Sequence, residues 1–340
     1  MEMEEIVSEL FYKLLILRMP RVGPAKYAGL LREFGSAPAA ADSLRCTGEH
    51  IDSVRREMDR AARVGILYIC DDEDDYPANL KLAGNHPPVI SVRGNIAALR
   101  RPAVGLVGTR HATAGGMRFV ADLAREFASR GYAVVSGMAM GTDTAAHNGA
   151  LAAPGNLNTI AVLAGGADYI WPLENEKLYH YIVERGAVVS ELPVGAKPVA
   201  NNFIQRNRWI AGISEKLILG EADEKSGSMS TAGFALDYKR QVFAIPGHPS
   251  DPRSMGPNRL IREGRAAMCL GPGDFFATEK KKEDAKTADN DILDKLGMIP
   301  INESVLAELV KKSIADIRSE LVMLELRGQV RKTDGGYVKA

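Results

Sequence analysis

The sequence predicts an α/β protein built around a mostly parallel β-sheet with helices on both of its faces. Six short apolar runs recur through residues 103–247, and amphipathic helical patterns such as GGMRFVADLAREFASRG separate them. Near-continuous apolar strands that alternate with helices are typical of sheets buried on both faces. The predicted strands are AVGLVG (103–108), YAVVSG (132–137), TIAVLAG (159–165), AVVSE (187–191), KLILGEA (216–222) and QVFAIPG (241–247). We therefore predict a doubly wound, Rossmann-like sheet.

Composition divides the chain of 340 residues into parts. The acidic run CDDEDDYP (70–77) closes a small helical N-terminal domain, and the charged segment EKKKEDAKTADND (279–291) has no aromatic residue and is typical of a solvated linker. The predicted boundaries give domains 1–75, 76–278 and 289–340, with a linker at 279–288.

The N-terminal segment LRMPRVGPAKYAGLLREFGS (17–36) has a Val-Gly-Pro turn between two apolar helical patterns. This pattern resembles a helix-hairpin-helix motif, in which backbone N–H groups at the turn bind phosphate. Acidic surroundings favour the alternative, a turn that only packs the two helices.

Overall charge and composition exclude several classes of protein. The formal net charge is zero, and residues 76–279 carry 21 basic against 17 acidic side chains, so a polyanion site must come from clustered cations. The start MEMEEIVSEL is acidic, whereas a signal peptide begins with basic residues. No apolar run approaches the ~18 residues of a membrane span. We expect a cytoplasmic protein with no membrane contact and with Cys46, Cys70 and Cys269 as reduced thiols.

Glycine-rich segments follow most of the predicted strands, which brings them to the carboxyl edge of the sheet. Gly137, Gly165 and Gly166 are candidate phosphate-loop residues there. GxGxxG and GxxxxGK[ST] are both absent, so no nucleotide cofactor is expected. No histidine pair has metal-ligand spacing, and no metal is expected.

Catalytic motifs are absent as well, since the sequence contains neither GxSxG nor HExxH. Asp143 and His147 lie four residues apart, which permits acid/base chemistry. A carboxylate that compensates the helix dipole, with a packed histidine one turn later, is the favoured interpretation.

Arginines, an aromatic residue and hydroxyl groups converge on the same predicted sheet edge. The segment FIQRNRWIAG holds Phe203, Arg206, Asn207 and Arg208, and Arg110 follows the first predicted strand. Guanidiniums that bind phosphate, beside a ring on which a base stacks, favour a single-stranded nucleic acid. A buried pair with Glu191 or Glu221 is the structural alternative for the arginines, and we expect one of Arg206 and Arg208 to be structural and the other to face DNA.

Ser226, Gly227 and Ser228 precede a predicted helix in EKSGSMSTAGFA. Two serines at this place either cap the helix or offer hydroxyl and amide groups to a phosphate. Capping accounts for at least one of them.

The ordered series GLVGTR, VVSGMAMGTDTAAHNGAL, TIAVLAGGADYIWPLEN, VVSELPVG, FIQRNRWIAGIS, EADEKSGSMSTAGFAL, VFAIPG and GPNRLIREG resembles the DNA-processing protein A (DprA, or Smf) family over residues 76–270. The resemblance implies a cytoplasmic protein that is not an enzyme, binds single-stranded DNA, forms a homodimer through the Rossmann-like domain and loads the recombinase RecA in natural transformation. It also implies a C-terminal winged helix, which residues 289–340 fit with three helical patterns and a hairpin QVRKTDGGYVKA.

The resemblance assigns DNA contacts to residues that match the family motifs. They are Arg110, Phe203, Arg206, Asn207, Arg208, Ser226, Gly227 and Ser228. Two family lysines are replaced here, by Leu173 after the Trp-Pro pair and by Ala200 before Phe203. Lys177 or Lys197 is the expected substitute, and weaker DNA binding without a substitute is the alternative.

A nucleotide N-glycosidase of the lysine-decarboxylase-like Rossmann group is the alternative function. Its PGGxGTxxE signature is absent, and PGHPSDPRSMGPN stands where a Pro-Gly loop occurs.

The segment NRLIREGRAAMCLG (258–271) offers four apolar side chains that could form a dimer interface. Packing of the same side chains in the core is an equally good explanation of their apolar character. The four residues are Leu260, Ile261, Met268 and Leu270.

Overall fold

The structure, a computed structural model, describes residues 2–276, 292–297 and 299–340, with side chains described from residue 9 onward. The chain forms two compact units, Met1–Pro272 and Gly273–Ala340. The predicted linker 279–288 lies outside the described residues, and the predicted domain boundaries stay predictions.

Four helices form the N-terminal region: α1 (Glu2–Arg18), α2 (Pro24–Phe34), α3 (Ala37–Ser43) and α4 (Gly48–Arg63). Helix α2 begins at a proline, whose missing N–H is not needed there, and ends at Gly35 with a left-handed φ of 79°. Leu14, Ile16 and Tyr27 are buried between these helices. The predicted pair of helices around the Val-Gly-Pro turn is confirmed.

Nine strands make one sheet, in the spatial order β1-β2-β6-β5-β4-β3-β7-β8-β9. The strands are β1 (Ile66–Cys70), β2 (Val89–Gly94), β3 (Ala103–Val107), β4 (Ala133–Ser136), β5 (Thr159–Val162), β6 (Ala187–Ser190), β7 (Lys216–Leu219), β8 (Gln241–Ala244) and β9 (Ala267–Met268). The seven strands from β6 to β9 in this order are parallel, whereas β2 is antiparallel to both β1 and β6. All six predicted strands are present.

Three strands were not predicted, namely the two edge strands β1 and β9 and β2, which lies next to β1. Strand β1 lies within residues 1–75, so the prediction of a purely helical N-terminal region is wrong at its end. A short apolar run such as ILYIC does not distinguish strand from helix, because it spans less than two helical turns. Residues 66–70 are a strand because they pair antiparallel with β2, which follows the acidic run in the chain.

Helices cover both faces of the sheet. Helices α6 (Ala114–Ser129), α7 (Thr142–Leu151) and α8 (Glu176–Arg185) pack on one face, and α9 (Ala200–Ile213) and α10 (Gly227–Asp237) pack together on the other. The short α5 (Ala78–Lys81) packs on α9, and α11 (Pro252–Arg262) packs beside β8.

The chain runs from β3 outward to β6 and then returns to place β7 on the other side of β3. The loops after β3 and β7 therefore diverge, which opens a crevice at the carboxyl edge.

The second unit contains α12 (Glu303–Val310), α13 (Ile314–Leu326) and an antiparallel hairpin of β10 (Val330–Thr333) and β11 (Gly336–Lys339). Leu306, Leu321 and Tyr337 are buried in its core. Two helices followed by a β-hairpin confirm the winged-helix prediction.

The described helices include none that is both long and apolar enough to cross a bilayer.

Candidate nucleic-acid interface

A cavity of about 280 Å³ lies where the strand order reverses, between the loop after β3, the first turns of α9 and the start of α10. Seven of the residues predicted to contact DNA line it. They are Arg110, Phe203, Arg206, Asn207, Ser226, Gly227 and Ser228. The fold thus brings together segments that are more than 100 positions apart in the chain.

Arg110 is exposed at this cavity, and its guanidinium lies over two aromatic rings. Its Cζ is 5.1 Å from the centre of the Trp171 ring and 5.4 Å from that of Phe203. Among the described residues, no hydrogen bond or ion pair of this guanidinium is found. Arg110 is therefore oriented by ring contacts and keeps its N–H donors available for a ligand.

Arg206, in contrast, is a structural residue. It is 5% exposed, and its Nη1 donates to the backbone oxygens of Gly137 and, at 2.9 Å, of Val162. The Gly137 carbonyl directly follows β4 and the Val162 carbonyl ends β5, so one guanidinium joins the ends of two neighbouring strands. The predicted partners Glu191 and Glu221 are wrong for Arg206, because the carboxylate that opposes its charge belongs to Asp143.

Asp143 lines the bottom of the cavity, His147 follows one turn later on α7 outside the lining, and both are buried. Asp143 accepts hydrogen bonds from the N–H groups of Gly137 at 3.2 Å and Ala139 at 3.3 Å, and burial raises the pKa of its carboxyl. His147 Nδ1 lies 2.7 Å from Thr159 Oγ1, and burial, with Arg206 nearby, lowers the pKa of the ring to about 3. A histidine that is 0% exposed has no access to a substrate, which supports packing.

The start of α10 is a capped helix end. Ser226 Oγ accepts from the Ser228 N–H at 3.4 Å and lies 2.8 Å from Ser228 Oγ, and Ser228 is buried. Asn207 Nδ2 donates to the Gly227 oxygen at 3.2 Å and to Ser230 Oγ at 3.3 Å. Asn207 therefore ties α9 to the first turn of α10, and Gly227 remains exposed at the cavity.

Arg208 lies on the other side of α9 and does not line this cavity. It donates to the Gly84 oxygen at 3.3 Å, to Tyr238 Oη at 3.4 Å and to Gln205 Oε1 at 3.2 Å. It lines a separate cavity of about 350 Å³ with the Gly23-Pro24 turn of the N-terminal hairpin. The turn thus faces α9 across this cavity, and the choice between a packing turn and a phosphate-binding turn stays a prediction.

The two lysines considered as substitutes are both exposed but lie outside the cavity lining. Lys177 is on α8 and Lys197 is in the loop before α9. Leu173, where the family resemblance led us to expect a lysine, is 73% exposed. Of the two arginines that line the cavity among the described residues, Arg110 is exposed and Arg206 is buried.

The candidate phosphate-loop glycines pack against protein atoms. A Cβ on Gly137 would overlap the Arg206 guanidinium, and a Cβ on Gly166 would lie 2.5 Å from the Pro193 oxygen. Gly137 and Gly165 line a space of only about 10 Å³, about the minimum for one water. These glycines allow close packing, and the structure offers a phosphate no room beside them.

The N-terminus of α6, where Rossmann-type sheets bind a nucleotide phosphate, holds a carboxylate of the protein itself. Glu221 accepts from the Thr113 N–H at 2.7 Å and from Thr113 Oγ1. A Cβ on Gly116 would lie 2.5 Å from Glu221 Oε1. The anion site of this helix is therefore filled.

Trp171 was missed by the sequence reasoning. It follows β5, and its ring centre lies 4.7 Å from that of Phe203 at an interplanar angle of 64°. The signal was an aromatic residue before a proline in DYIWP, at the same sheet edge as the glycine-rich loops.

Cys70, Asp72 and Glu73 form a cluster of possible metal-binding side chains away from the cavity. Burial raises the pKa of the Cys70 thiol to about 12, and Lys13 Nζ lies 2.9 Å from the Asp72 carboxylate. A neutral thiol and a paired carboxylate make a poor cation site.

Comparison with known proteins gives family matches along most of the chain. Sequence families described as DNA recombination-mediator protein A, DprA winged helix domain and DprA-like N-terminal HHH domain match residues 67–279, 277–336 and 8–50. Protein Smf of Synechocystis is 37% identical over 215 residues, which are 62% of this chain and 53% of the relative, so the match spans about half of that protein.

Two solved structures are also similar. DNA processing protein A from Streptococcus pneumoniae has a TM-score of 0.68 and 29% identity and covers 78% of this chain and 97% of its own. DNA processing protein A from Helicobacter pylori, described with a single-stranded DNA binding mode, has a TM-score of 0.58 and 30% identity and covers 64% and 96%. With an edge cavity built from the GTR, FIQRNR and SGS segments and family matches along the chain, this protein belongs to the DNA recombination-mediator protein A family, known as DprA or Smf.

Proposed function

We propose that this chain binds single-stranded DNA, without reading its sequence, in the cavity at the carboxyl edge of the sheet. Arg110 carries the proposal, because it is exposed and holds its donors beside the rings of Phe203 and Trp171. A guanidinium binds any phosphate and a ring stacks any base, whereas a duplex presents no free base face. The similarity to the Helicobacter pylori protein supports the same ligand.

We further propose that the bound strand is passed to the recombinase RecA, in the processing of incoming DNA during natural transformation. The family's description as a recombination mediator supports this role. DNA and recombinase are both cytoplasmic, so the protein acts there. We also propose a homodimer formed through the Rossmann-like domain.

The enzyme alternative finds no support in the site. Glu221 fills the helix N-terminus that a nucleotide phosphate would need, and Asp143 and His147 are buried. Incubation with nucleoside monophosphates, followed by chromatography, tests it: release of free base would reverse this choice.

A gel-shift comparison of single-stranded and duplex oligonucleotides of equal length tests the main proposal. We expect retention of the single strand only, with affinity that falls as salt rises, because phosphate contacts release counterions. Equal retention of both forms would contradict it.

A further inference from the structure

Trp171 stands at the edge of the proposed DNA site, outside the residues that the family motifs assign. Its indole meets the Phe203 ring at 4.7 Å and 64°, so the two rings form a corner rather than a flat stack. The Arg110 guanidinium lies over both rings, at 5.1 and 5.4 Å from their centres. The three side chains come from two loops and one helix that meet at the sheet edge. Arg110 is in the loop after β3, Trp171 is in the loop after β5, and Phe203 is on α9.

Both rings are only half-buried, so a ligand reaches them from solvent. The ring corner limits the positions of the Arg110 guanidinium before any ligand arrives, which reduces the ordering that binding requires. An unpaired base presents a flat apolar face that stacks on a solvent-accessible ring, and its phosphate can bind the neighbouring guanidinium.

We propose that Trp171 is a DNA-contacting residue whose indole stacks an unpaired base beside Phe203. The inference rests on the proposed function and deepens it: the ligand contributes a base face as well as a phosphate, and any of the four bases is suitable. A duplex is excluded because its bases are already stacked.

The chain is suited to a direct test because it contains two tryptophans. Trp209 is 4% exposed and lies on the opposite side of α9, under Arg208 at 5.1 Å. Titration of the full chain with oligothymidine should change the Trp171 emission to a saturating value, while blunt duplex of equal length leaves it unchanged. Trp171→Phe should abolish this signal yet bind within about threefold of the unaltered chain, because a ring is kept.

Trp171→Ala should bind oligothymidine about 5- to 150-fold more weakly, the range for loss of one stacked base. Its salt dependence should not change, since indole carries no charge. Arg110→Ala should reduce the salt slope by about 0.7. Tyr181→Ala is the matched control, because Tyr181 is an aromatic residue that is 57% exposed on α8, and its loss should leave affinity unchanged.

Two results would overturn the inference while the proposed function stands. One is retention of oligothymidine in the gel with unchanged tryptophan emission. The other is a Trp171→Ala variant that reduces the salt slope as Arg110→Ala does, which would mean that the indole only positions the guanidinium. Absence of any single-strand retention would instead refute the proposed function itself.

Discussion

Three arginines illustrate how position decides the role of a residue in this protein. Arg110, Arg206 and Arg208 carry the same group, and the sequence made all three candidates for DNA contact, with one of Arg206 and Arg208 expected to be structural. Arg110 is exposed over two aromatic rings, Arg206 is buried under the ends of β4 and β5, and Arg208 lies on the other side of α9. Their different surroundings lead to different predicted effects of substitution.

Arg110→Ala should weaken single-strand binding by ~1.5 to 3 kcal/mol, the range for hydrogen bonds to charged groups. The salt slope should fall by ~0.7, because one phosphate contact is lost. Stability should barely change, since the side chain is exposed. Fluorescence anisotropy over a salt series checks this, with Arg125→Ala as the control because Arg125 pairs with Asp122 on the surface of α6. A variant that melts at a much lower temperature but keeps its affinity would make Arg110 structural.

Arg206→Ala should destabilise the fold by ~3 to 5 kcal/mol, because the buried oxygens of Gly137 and Val162 would lose their donor and the nearby charge of Asp143 would be uncompensated. Arg208→Ala should cost only ~0.5 to 1.5 kcal/mol, since its contacts are long and partly exposed. Urea unfolding of both variants measures the difference. Arg206→Met combined with Asp143→Asn should recover part of the loss, and equal stability of the two single variants would contradict the assignment.

At the scale of elements, helices bring charged and polar side chains to the strand ends from both sides of the sheet. Helix α9 supplies Arg206 from one face, and α7 supplies Asp143 and His147 from the other. The helix termini at this edge are satisfied internally, by Ser226 on α10 and by Glu221 on α6. The polar groups of the edge therefore hold elements together, and Arg110 is left for a ligand.

Buried His147 predicts a loss of stability in acid. The pKa of the folded ring is about 3, below the ordinary value of 6.5, so the unfolded chain binds a proton that the folded chain does not. Stability should fall as pH drops below about 6.5, by ~1.4 kcal/mol per unit until about pH 3. Urea unfolding at pH 7.5, 6.5 and 5.5 measures this slope.

His147→Asn, which retains a polar side chain facing Thr159, should lower that slope by one proton. Asp143, whose pKa burial raises, acts in the opposite direction but is common to both chains. Identical slopes for the two proteins would show that His147 is not the responsible group.

At the scale of the whole molecule, the two units differ in the surfaces that they offer. Within the second unit, α13 is the candidate recognition helix of a winged helix, yet Val322, Met323 and Leu326 on it are 51%, 52% and 78% exposed. Its Arg318 already pairs with Glu303, and Glu320 pairs with Lys312. This surface is apolar and poor in free cations.

We expect fragment 289–340 to show no sequence-specific binding to duplex DNA at physiological salt, because a phosphate-lined groove requires an excess of positive charge. Anisotropy with a randomised duplex pool checks this. Enrichment of one sequence from the pool would refute the prediction and assign DNA recognition to α13.

We propose that the dimer forms through the β9 edge of the sheet. Leu260 is buried and Ile261 packs on the core, so these two residues of the predicted patch serve the fold, whereas Met268 is 47% exposed. Light scattering at micromolar concentration should give the mass of two chains. Met268→Arg should shift it toward one chain, because an unpaired buried guanidinium costs ~3 to 5 kcal/mol. Met255→Arg is the control, because Met255 is similarly exposed (46%) but lies on α11, and this variant should keep the mass of two chains.

The sequence alone determined the fold class, the six central strands and the hairpin of helices, and the resemblance of its motifs to a family implied the winged helix. The first three rest on local patterns: apolar runs of strand length, helical periodicity, or a turn such as Val22-Gly23-Pro24. It also selected the GTR, FIQRNR and SGS segments as one site, because parallel strands end at a common edge. Local patterns did not reveal β1, β2 and β9, whose assignment depends on pairing with distant residues.

Only the tertiary structure decided which side chain faces where. Arg206 and Arg208 are two positions apart on one helix and therefore point to different sides of it, a difference of about 200° in direction. The sequence cannot show that Gly137 and Val162 offer carbonyls to one arginine, or that Glu221 reaches the start of α6 from 108 positions away. Trp171, Phe203 and Arg110 likewise meet only because three loops and helices end at the same edge, since contacts between residues far apart in the chain arise from packing and leave no local pattern.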